Sequence, residues 1–421
     1  MSAPGARSPR TGEAASAPEA AAQRDRLSEL PDDLLHRILR FLDARQVVSE
    51  LSRLSRRWRH LWSTMPFVAL RSDVYGSESF GNLLLLLRNG GVPLHTFCMH
   101  SWNWSHFRYE RRWLLHALSR GLCVLEVSLN SSDRRFCLPD SVFSCATLEE
   151  ISLSATVIRE VIAPGSVCLP RLKKLNLDFV QFNNPSVIEK LNSGCPALED
   201  LSLSRSLFVS LRISSDTLKT LSITDCTYKE IHVSAPNIAS LRLTVSGKVQ
   251  LDEMPYLVNA WVYVSDDRVE HLARGGYDLA AALCNAQHLE LFRFNLKLQD
   301  MMGNSAREGL SFCKLKSLYI GEWLVTDFYN PLACFLQSAP NLITLTLDQW
   351  VLYEKHKGNV TNLVSTEKKP SAELKLVSAL TRDLEMLLIR LSKGDDIGEF
   401  RKMRALLKEK TKPKETVIVW F

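Results

Sequence analysis

The sequence predicts an α/β chain: a long solenoid of stacked short strands, a small helical module ahead of it, and a short α+β segment closing it. Two observations carry this. The motif L-x-x-L-x-L recurs along residues 94–353, with offsets between successive copies of 19 to 29 residues. Ahead of the repeats, residues 26–66 carry apolar residues at helical spacing instead. Charged residues make up 23% of the chain and hydrophobic ones 46%, the proportions of an ordinary globular protein. The net charge of +6 is modest for 421 residues and does not by itself point to nucleic acid or to a membrane surface.

Residues 1–25 open the chain as MSAPGARSPRTGEAASAPEAAAQ, rich in Ala, Pro and Ser, with Glu13 and Glu19 and no apolar core. This reads as a disordered tail and not as a secretory or transit leader.

Residues 26–66 read RLSELPDDLLHRILRFLDARQVVSELSRLSRRWRHLWSTMP. Pro31 suits a first helical position, where its missing N–H costs nothing. Asp32 and Asp33 follow at the positive end of the helix dipole. Leu34, Leu35, Ile38, Leu39 and Leu42 then make one stripe. Asp43 and Gln46, three apart, form a capping pair that opens a second helix. Val47, Val48, Leu51, Leu54, Trp58, Leu61 and Trp62 continue at helical spacing, and periodicity leaves open whether residues 44–62 are one helix or two. About forty residues cannot bury a core alone without a metal, a disulfide or a partner. Neither a ligand cluster nor a cysteine pair lies inside the stretch, so its apolar faces must meet something else.

The segments LSELPDDLLHRILRFLDARQVV and LSRRWRHLW resemble an F-box, of the kind found in plant F-box proteins with leucine-rich repeats. The resemblance implies a three-helix module that docks on a Skp-type adaptor, and through it on a cullin. The chain would then be the substrate receptor of an SCF ubiquitin ligase. Matched position by position, the adaptor contacts would centre on Leu30, Pro31, Leu34, Ile38, Leu39, Leu42, Val48 and Trp58. Each of these could equally pack inside the module, because periodicity marks a buried face and not what buries it.

Residues 67–93 read as a connecting helical segment, and residues 94–353 as the solenoid. The motif stands clearly at Leu148/Ile151/Leu153, Leu172/Leu175/Leu177, Leu198/Leu201/Leu203, Leu218/Leu221/Ile223, Ile238/Leu241/Leu243, Leu315/Leu318/Ile320 and Leu342/Leu345/Leu347. Looser copies start at Leu94, Leu122, Leu257 and Ala286. The spacing is that of leucine-rich repeats, about eleven of them and irregular. One unit cannot bury its leucines alone, so neighbours stack and share a continuous core. A generic α/β domain with leucine-rich strands is the rival reading, and so many copies in register disfavour it.

Residues between the leucines should line the concave face, where such solenoids bind partners. In the first half these are Ser152, Ser154, Asn176, Asp178, Ser202, Ser204, Ser222, Thr224, Arg242 and Thr244, too weakly charged for a phosphate-rich ligand. Further on come Trp261, Tyr263, Tyr319 and Asp348, expected to bind the protein substrate, since exposed aromatics are common interface anchors. Trp261 and Tyr263 alternate with Ala260, Val262 and Val264, which supports their outward placement. Trp323 and Trp350, just past strands, are read as packing between repeats.

Residues 354–372 read as a polar linker. In residues 373–421, Val377, Leu380, Leu384, Leu387, Leu388 and Leu391 recur at helical spacing, Lys408–Lys414 is a basic run, and Thr416–Phe421 is a terminal strand candidate. This tail resembles a divergent FBD region, shortened at its glycine-containing centre, and its expected use is to cap the open end of the solenoid.

Ten scattered cysteines form no CxxC pair, which points to free thiols in a reducing compartment, the nucleus or the cytoplasm. The sequence names no cofactor, membrane or nucleic-acid partner. It contains no G-x-x-x-x-G-K-[ST], G-x-S-x-G, H-E-x-x-H or G-x-G-x-x-G. His95, Cys98 and His100 lie close together, but a fourth ligand is missing. Arg108–Trp113 mixes basic and aromatic residues on what reads as a solvated helix face. The expectation is a non-catalytic substrate receptor whose protein target is unknown. A repeat scaffold that acts without degradation is the alternative.

Overall fold

The computed structural model describes residues 27–54, 56–71, 77–101, 108–129, 135–136, 138–161, 165–182, 186–265, 279–293, 311–322, 335–348, 384–391 and 415–420. The tail 1–25, the linker 354–372, the run Lys408–Lys414, Trp323 and Trp350 lie outside them.

The module is built from three helices. Helix α1 (Asp32–Leu39) starts one residue later than Pro31 suggests. Pro31 is its N-cap, and the Pro31 carbonyl accepts from Leu34 N–H at 3.0 Å and Leu35 N–H at 3.1 Å. Helix α2 (Ala44–Ser49) opens with the expected capping box: Gln46 N–H donates to Asp43 Oδ1 at 2.9 Å, and Asp43 N–H to Gln46 Oε1 at 3.3 Å. A single 3₁₀ turn, Leu51–Arg53, separates α2 from α3 (Trp58–Leu61), so residues 44–62 hold two helices. Leu35, Leu39, Val47, Trp58, Leu61 and Met65 form a core of the module's own.

Parallel strands, with helices between some of them, run through the rest of the described residues. One ladder runs through β1 (Phe67–Arg71), β2 (Thr96–Ser101), β3 (Val124–Leu129), then past β4 (Arg135–Phe136) to β5 (Glu150–Val161), β6 (Lys174–Phe182) and β7 (Asp200–Ser204). A second ladder, on the other side of the coil, begins where β4 pairs with the end of β5, and the end of β6 meets β8 (Leu207–Ser214). The first ladder continues through β9 (Thr220–Thr224), while β10 (Thr227–Ser234) joins β8. Strand β11 (Ser240–Val245) extends the first ladder and β12 (Lys248–Leu251) the second. From β13 (Asn259–Val264) through β14 (His288–Phe292), β15 (Ser317–Gly321), β16 (Thr344–Asp348), β17 (Met386–Leu391) and β18 (Glu415–Trp420), only the first ladder goes on among the described residues.

The motif leucines stack in register: Leu201 pairs with Leu221, Leu221 with Leu241, Leu289 with Leu318 and Leu318 with Leu345. All belong to one continuous apolar core. Repeat length bounds what can close a coil. Spacings of 26 to 29 residues leave room for a helix: α5 (Arg108–Leu118), α6 (Ser186–Gly194) and α7 (Leu279–Leu283). The copies starting at Leu198, Leu218 and Ile238 are followed after only 20, 20 and 19 residues, and there β8, β10 and β12 return the chain instead.

These short coils are tight. A Cβ on Gly247, between β11 and β12, would lie 2.3 Å from the Tyr228 carbonyl oxygen and 2.7 Å from that of Lys229. Both are backbone atoms that cannot swing aside. Gly247→Val should therefore destabilise the solenoid by about 1–3 kcal/mol, the range for overpacking. A denaturant midpoint equal to that of the unsubstituted chain would contradict this.

Three sequence expectations need correction or extension. The connecting segment 67–93 is not only helical: Phe67–Arg71 is the first strand of the sheet, paired Phe67 to Thr96, and α4 (Ser77–Leu87) follows it. The helical spacing read over Val377–Leu391 fails where the chain is described, because Met386–Leu391 is a strand with Leu387 opposite Leu345 and Ile389 opposite Leu347. A nearly unbroken apolar run fits both periods, and here pairing with β16 selects the strand. The terminal strand is present as Glu415–Trp420, and with β17 it continues the sheet.

The module sits on the first strands. Ala44 belongs to the solenoid core, and Val48 and Trp62 pack against it. The Pro66 carbonyl accepts from His95 N–H at 2.7 Å and Thr96 N–H at 3.0 Å. Arg88, buried at this junction, donates to the carbonyls of Met65 (2.6 Å), Val92 (2.9 Å) and Pro93 (2.9 Å).

Candidate partner-binding surfaces

The apolar stripe of α1 is two faces. At about 100° per residue, Leu35 and Leu39 share one side and Leu34 and Ile38 the next. Leu39 keeps 1% of its surface and belongs to the module core, whereas Leu34 keeps 43% and Ile38 45%. Of the eight expected contact residues, Pro31, Leu34 and Ile38 face outward and Leu30 and Leu42 are half-buried. Three fall elsewhere. Leu39 and Trp58 fill the interior, where the Trp58 indole N–H donates to Ser28 Oγ at 2.7 Å, and Val48 turns to the solenoid. Periodicity gave the stripe, but five positions are too wide for one face of a helix this thin.

Phe41, absent from the expected set, is the most exposed large apolar residue described, at 84%. It lies seven residues after Leu34 and three after Ile38, so the helical spacing itself contained the signal. The Arg40 guanidinium lies 5.9 Å from its ring centre. Leu27 and Leu54 add to the module's exposed apolar surface.

A second surface lies on the outward face of the first ladder. Up to β9 it carries the small polar residues the sequence named, and then it changes. Register places Arg242 beside Trp261, Trp261 beside Glu290, and Glu290 beside Tyr319. In the next row Tyr263 pairs with Phe292, Phe292 with Gly321, and Gly321 with Asp348. The rings form a continuous shelf. Trp261 and Tyr263 stack at 5.9 Å and 9°, Trp261 meets Phe292 at 5.4 Å, and Phe292 meets Tyr319 at 5.2 Å. Gly321 makes this possible, since a Cβ there would come within 2.7 Å of the Phe292 ring and 3.0 Å of the Tyr319 ring.

The shelf ends at Asp348, a buried carboxylate that accepts the Tyr319 hydroxyl at 2.6 Å and lies 3.6 Å from the Arg390 guanidinium. Burial first, and then this hydrogen bond, push the Tyr319 phenol above its ordinary pKa. Asp348 is therefore a support for Tyr319 more than a free contact. Thr244, expected on the outward row, is covered. Phe292, which sequence reading missed, is the central ring; its alternation with Leu289 and Leu291 in HLELF marks it as outward.

At the other end of the ladder, Cys98 donates to Glu126 Oε2 at 3.3 Å, and burial followed by that carboxylate pushes its thiol up to about 12. Among the described residues no group of His, Cys, Asp and Glu has a metal-binding arrangement, and no helix is long and apolar enough to cross a membrane.

Comparison with known proteins places the module and the repeats up to β12. Residues 27–70 match the F-box domain model, and residues 111–257 match the model described as "FBD-associated F-box protein At5g56370, LRR repeats". Among curated relatives from Arabidopsis thaliana, F-box/FBD/LRR-repeat protein At4g26340 is 30% identical over 339 residues, 77% of each chain. F-box/LRR-repeat protein At4g14103 is 31% identical over 70% of this chain and 78% of its own length. F-box/FBD/LRR-repeat protein At2g26030 is 26% identical over 94% of this chain and 92% of its own. With its module and its repeats matched in this order, and with relatives that span most of its length, the chain belongs to the plant family of F-box/FBD/LRR-repeat proteins.

Proposed function

We propose that this chain is the substrate-recognition subunit of an SCF-type ubiquitin ligase, without a catalytic site of its own. The single observation that carries the reading is the outward apolar face of the F-box, Leu34, Ile38 and Phe41, which the chain's own core leaves uncovered. F-box domains generally bind Skp-type adaptors, and such a face is suited to that contact. Through the adaptor a cullin is reached. The solenoid holds the protein target, and ubiquitin is transferred from a separate charged enzyme. Holding the target's lysines near that enzyme raises their effective concentration, so catalysis is by proximity.

Adaptor capture tests this. Purified full chain should bind a Skp-type adaptor, and Ile38→Asp with Phe41→Asp should weaken binding by about 100-fold or more, since a hot-spot truncation is worth 2 kcal/mol or above and two charges exceed that. Far-ultraviolet circular dichroism should be unchanged, because both side chains point to solvent. A folded chain that ignores the adaptor removes the ligase reading. A chain that binds the adaptor yet supports no ubiquitin transfer to anything it holds is a non-degradative scaffold.

A further inference from the structure

Two charged side chains flank the shelf and stand apart from its ion pairs. Arg293 bonds Glu322 at 3.2 Å, and Arg390 faces Asp348. Arg242 and Glu290 have no ion pair among the described residues, and both are exposed. They stand on the strands either side of Trp261. The Arg242 guanidinium lies 5.2 Å from the Trp261 ring centre, held by the cation–π contact. A guanidinium held that way has little freedom left to lose when its N–H fork meets a carboxylate. Strands lie about 4.8 Å apart, so the backbone positions of Arg242 and Glu290 are about 10 Å apart with an indole between them.

From this spacing we infer that the shelf docks an extended peptide segment of the target that carries an acidic residue, an apolar residue two positions from it, and a basic residue four positions from the acid on the same side, the positions whose side chains share one face of an extended chain. The carboxylate meets Arg242, the apolar side chain lies on Trp261 and Phe292, and the cation meets Glu290. An extended chain rises about 3.3 Å per residue, so same-face positions lie about 7 and 13 Å from the acid, against about 5 and 10 Å on the shelf, a difference that the long charged side chains take up. All three contacts are made by side chains, so a segment with the reverse charge order meets them by running the opposite way, and the surface reads the pairing and spacing of the charges. In the first half of the same face, from Ser152 to Thr224, Arg205 lies over the Phe179 ring and is already paired with Asp178, which confines the segment to β11 through β15. This inference rests on the solenoid being the target-holding part.

The test uses the full chain and a displayed library of linear dodecapeptides, followed by fluorescence anisotropy of the selected sequences. The expected result is enrichment of acid–apolar–base sequences, with binding weakened at least ten-fold by Arg242→Glu and by Trp261→Ala. A peptide whose acid is replaced by lysine should regain affinity for Arg242→Glu, which a misfolded variant could not produce. Selected peptides that bind Arg242→Glu and Trp261→Ala as tightly as the unsubstituted chain overturn the inference, and so does selection of sequences without an acid and a base flanking an apolar residue. Adaptor capture is measured on the same preparations. If the adaptor binds and peptides ignore the shelf, the docking inference fails and the receptor reading stands. If shelf-dependent peptides are selected and the adaptor is ignored, the docking inference stands without the ligase.

Discussion

Replacing Trp58 with alanine should unfold the F-box and leave the solenoid standing. The indole keeps 3% of its surface, lies among Leu35, Leu39, Val47 and Leu61, and bonds Ser28. Truncating a buried tryptophan costs about 3–5 kcal/mol. The module has few residues over which to spread that loss, and its core is separate from the one the repeats share. Amide exchange should show protection lost over residues 32–61 and kept across β5 to β11. Adaptor binding should fall with it. Ile38→Ala offers the contrast. It removes an outward side chain, should change stability by no more than about 0.5 kcal/mol, and should still weaken the adaptor. If Trp58→Ala leaves the module's amides protected, the assignment of Trp58 to the interior is wrong.

Leu221→Ala should divide the solenoid. Leu221 is fully buried and pairs with Leu201 on one side and Leu241 on the other. Leucine-to-alanine substitutions at such sites cost about 2–5 kcal/mol. In a solenoid the loss falls on one coil and its two interfaces, because each repeat touches only its neighbours. Unfolding should become less cooperative, with a smaller dependence on urea concentration than the unsubstituted chain. The F-box end and the aromatic shelf should then melt separately, as monitored by module amides and by Trp261 fluorescence. A single transition of unchanged steepness would contradict the nearest-neighbour picture. Adaptor capture at low denaturant should survive.

The two halves of the chain were unequally legible. The leucine repeat fixed the first ladder closely, since a period of two and a coil of fixed length leave few registers. The second ladder was missed, although LFVSLRIS and TYKEIHVS alternate as strands do and a 20-residue spacing leaves no room for a helix. The segment from Leu384 to Leu391 was read with the wrong period, because apolar runs satisfy both. Among binding residues, Trp261 and Tyr263 were readable from their alternation. Phe292 and Phe41 were readable in principle but stand in weaker copies of their patterns. Inside the module, which face of α1 turned inward depended on Trp58 and Val47, residues distant in sequence, and periodicity alone cannot supply that.

The exchange of helices for strands across β7 to β12 has a mechanical consequence. A helix is about 10 Å across and neighbouring strands are about 4.8 Å apart, so helix-backed coils are wedges and coils backed by a second strand are near-parallel slabs. Stacked wedges bend a ladder, whereas stacked slabs run straight. The middle of the solenoid should therefore run level, with curvature resuming at α7, which lies in the chain between β13 and β14 of the aromatic shelf. A change in coil length between Leu198 and Leu257 should alter the angle between the aromatic shelf and the F-box end.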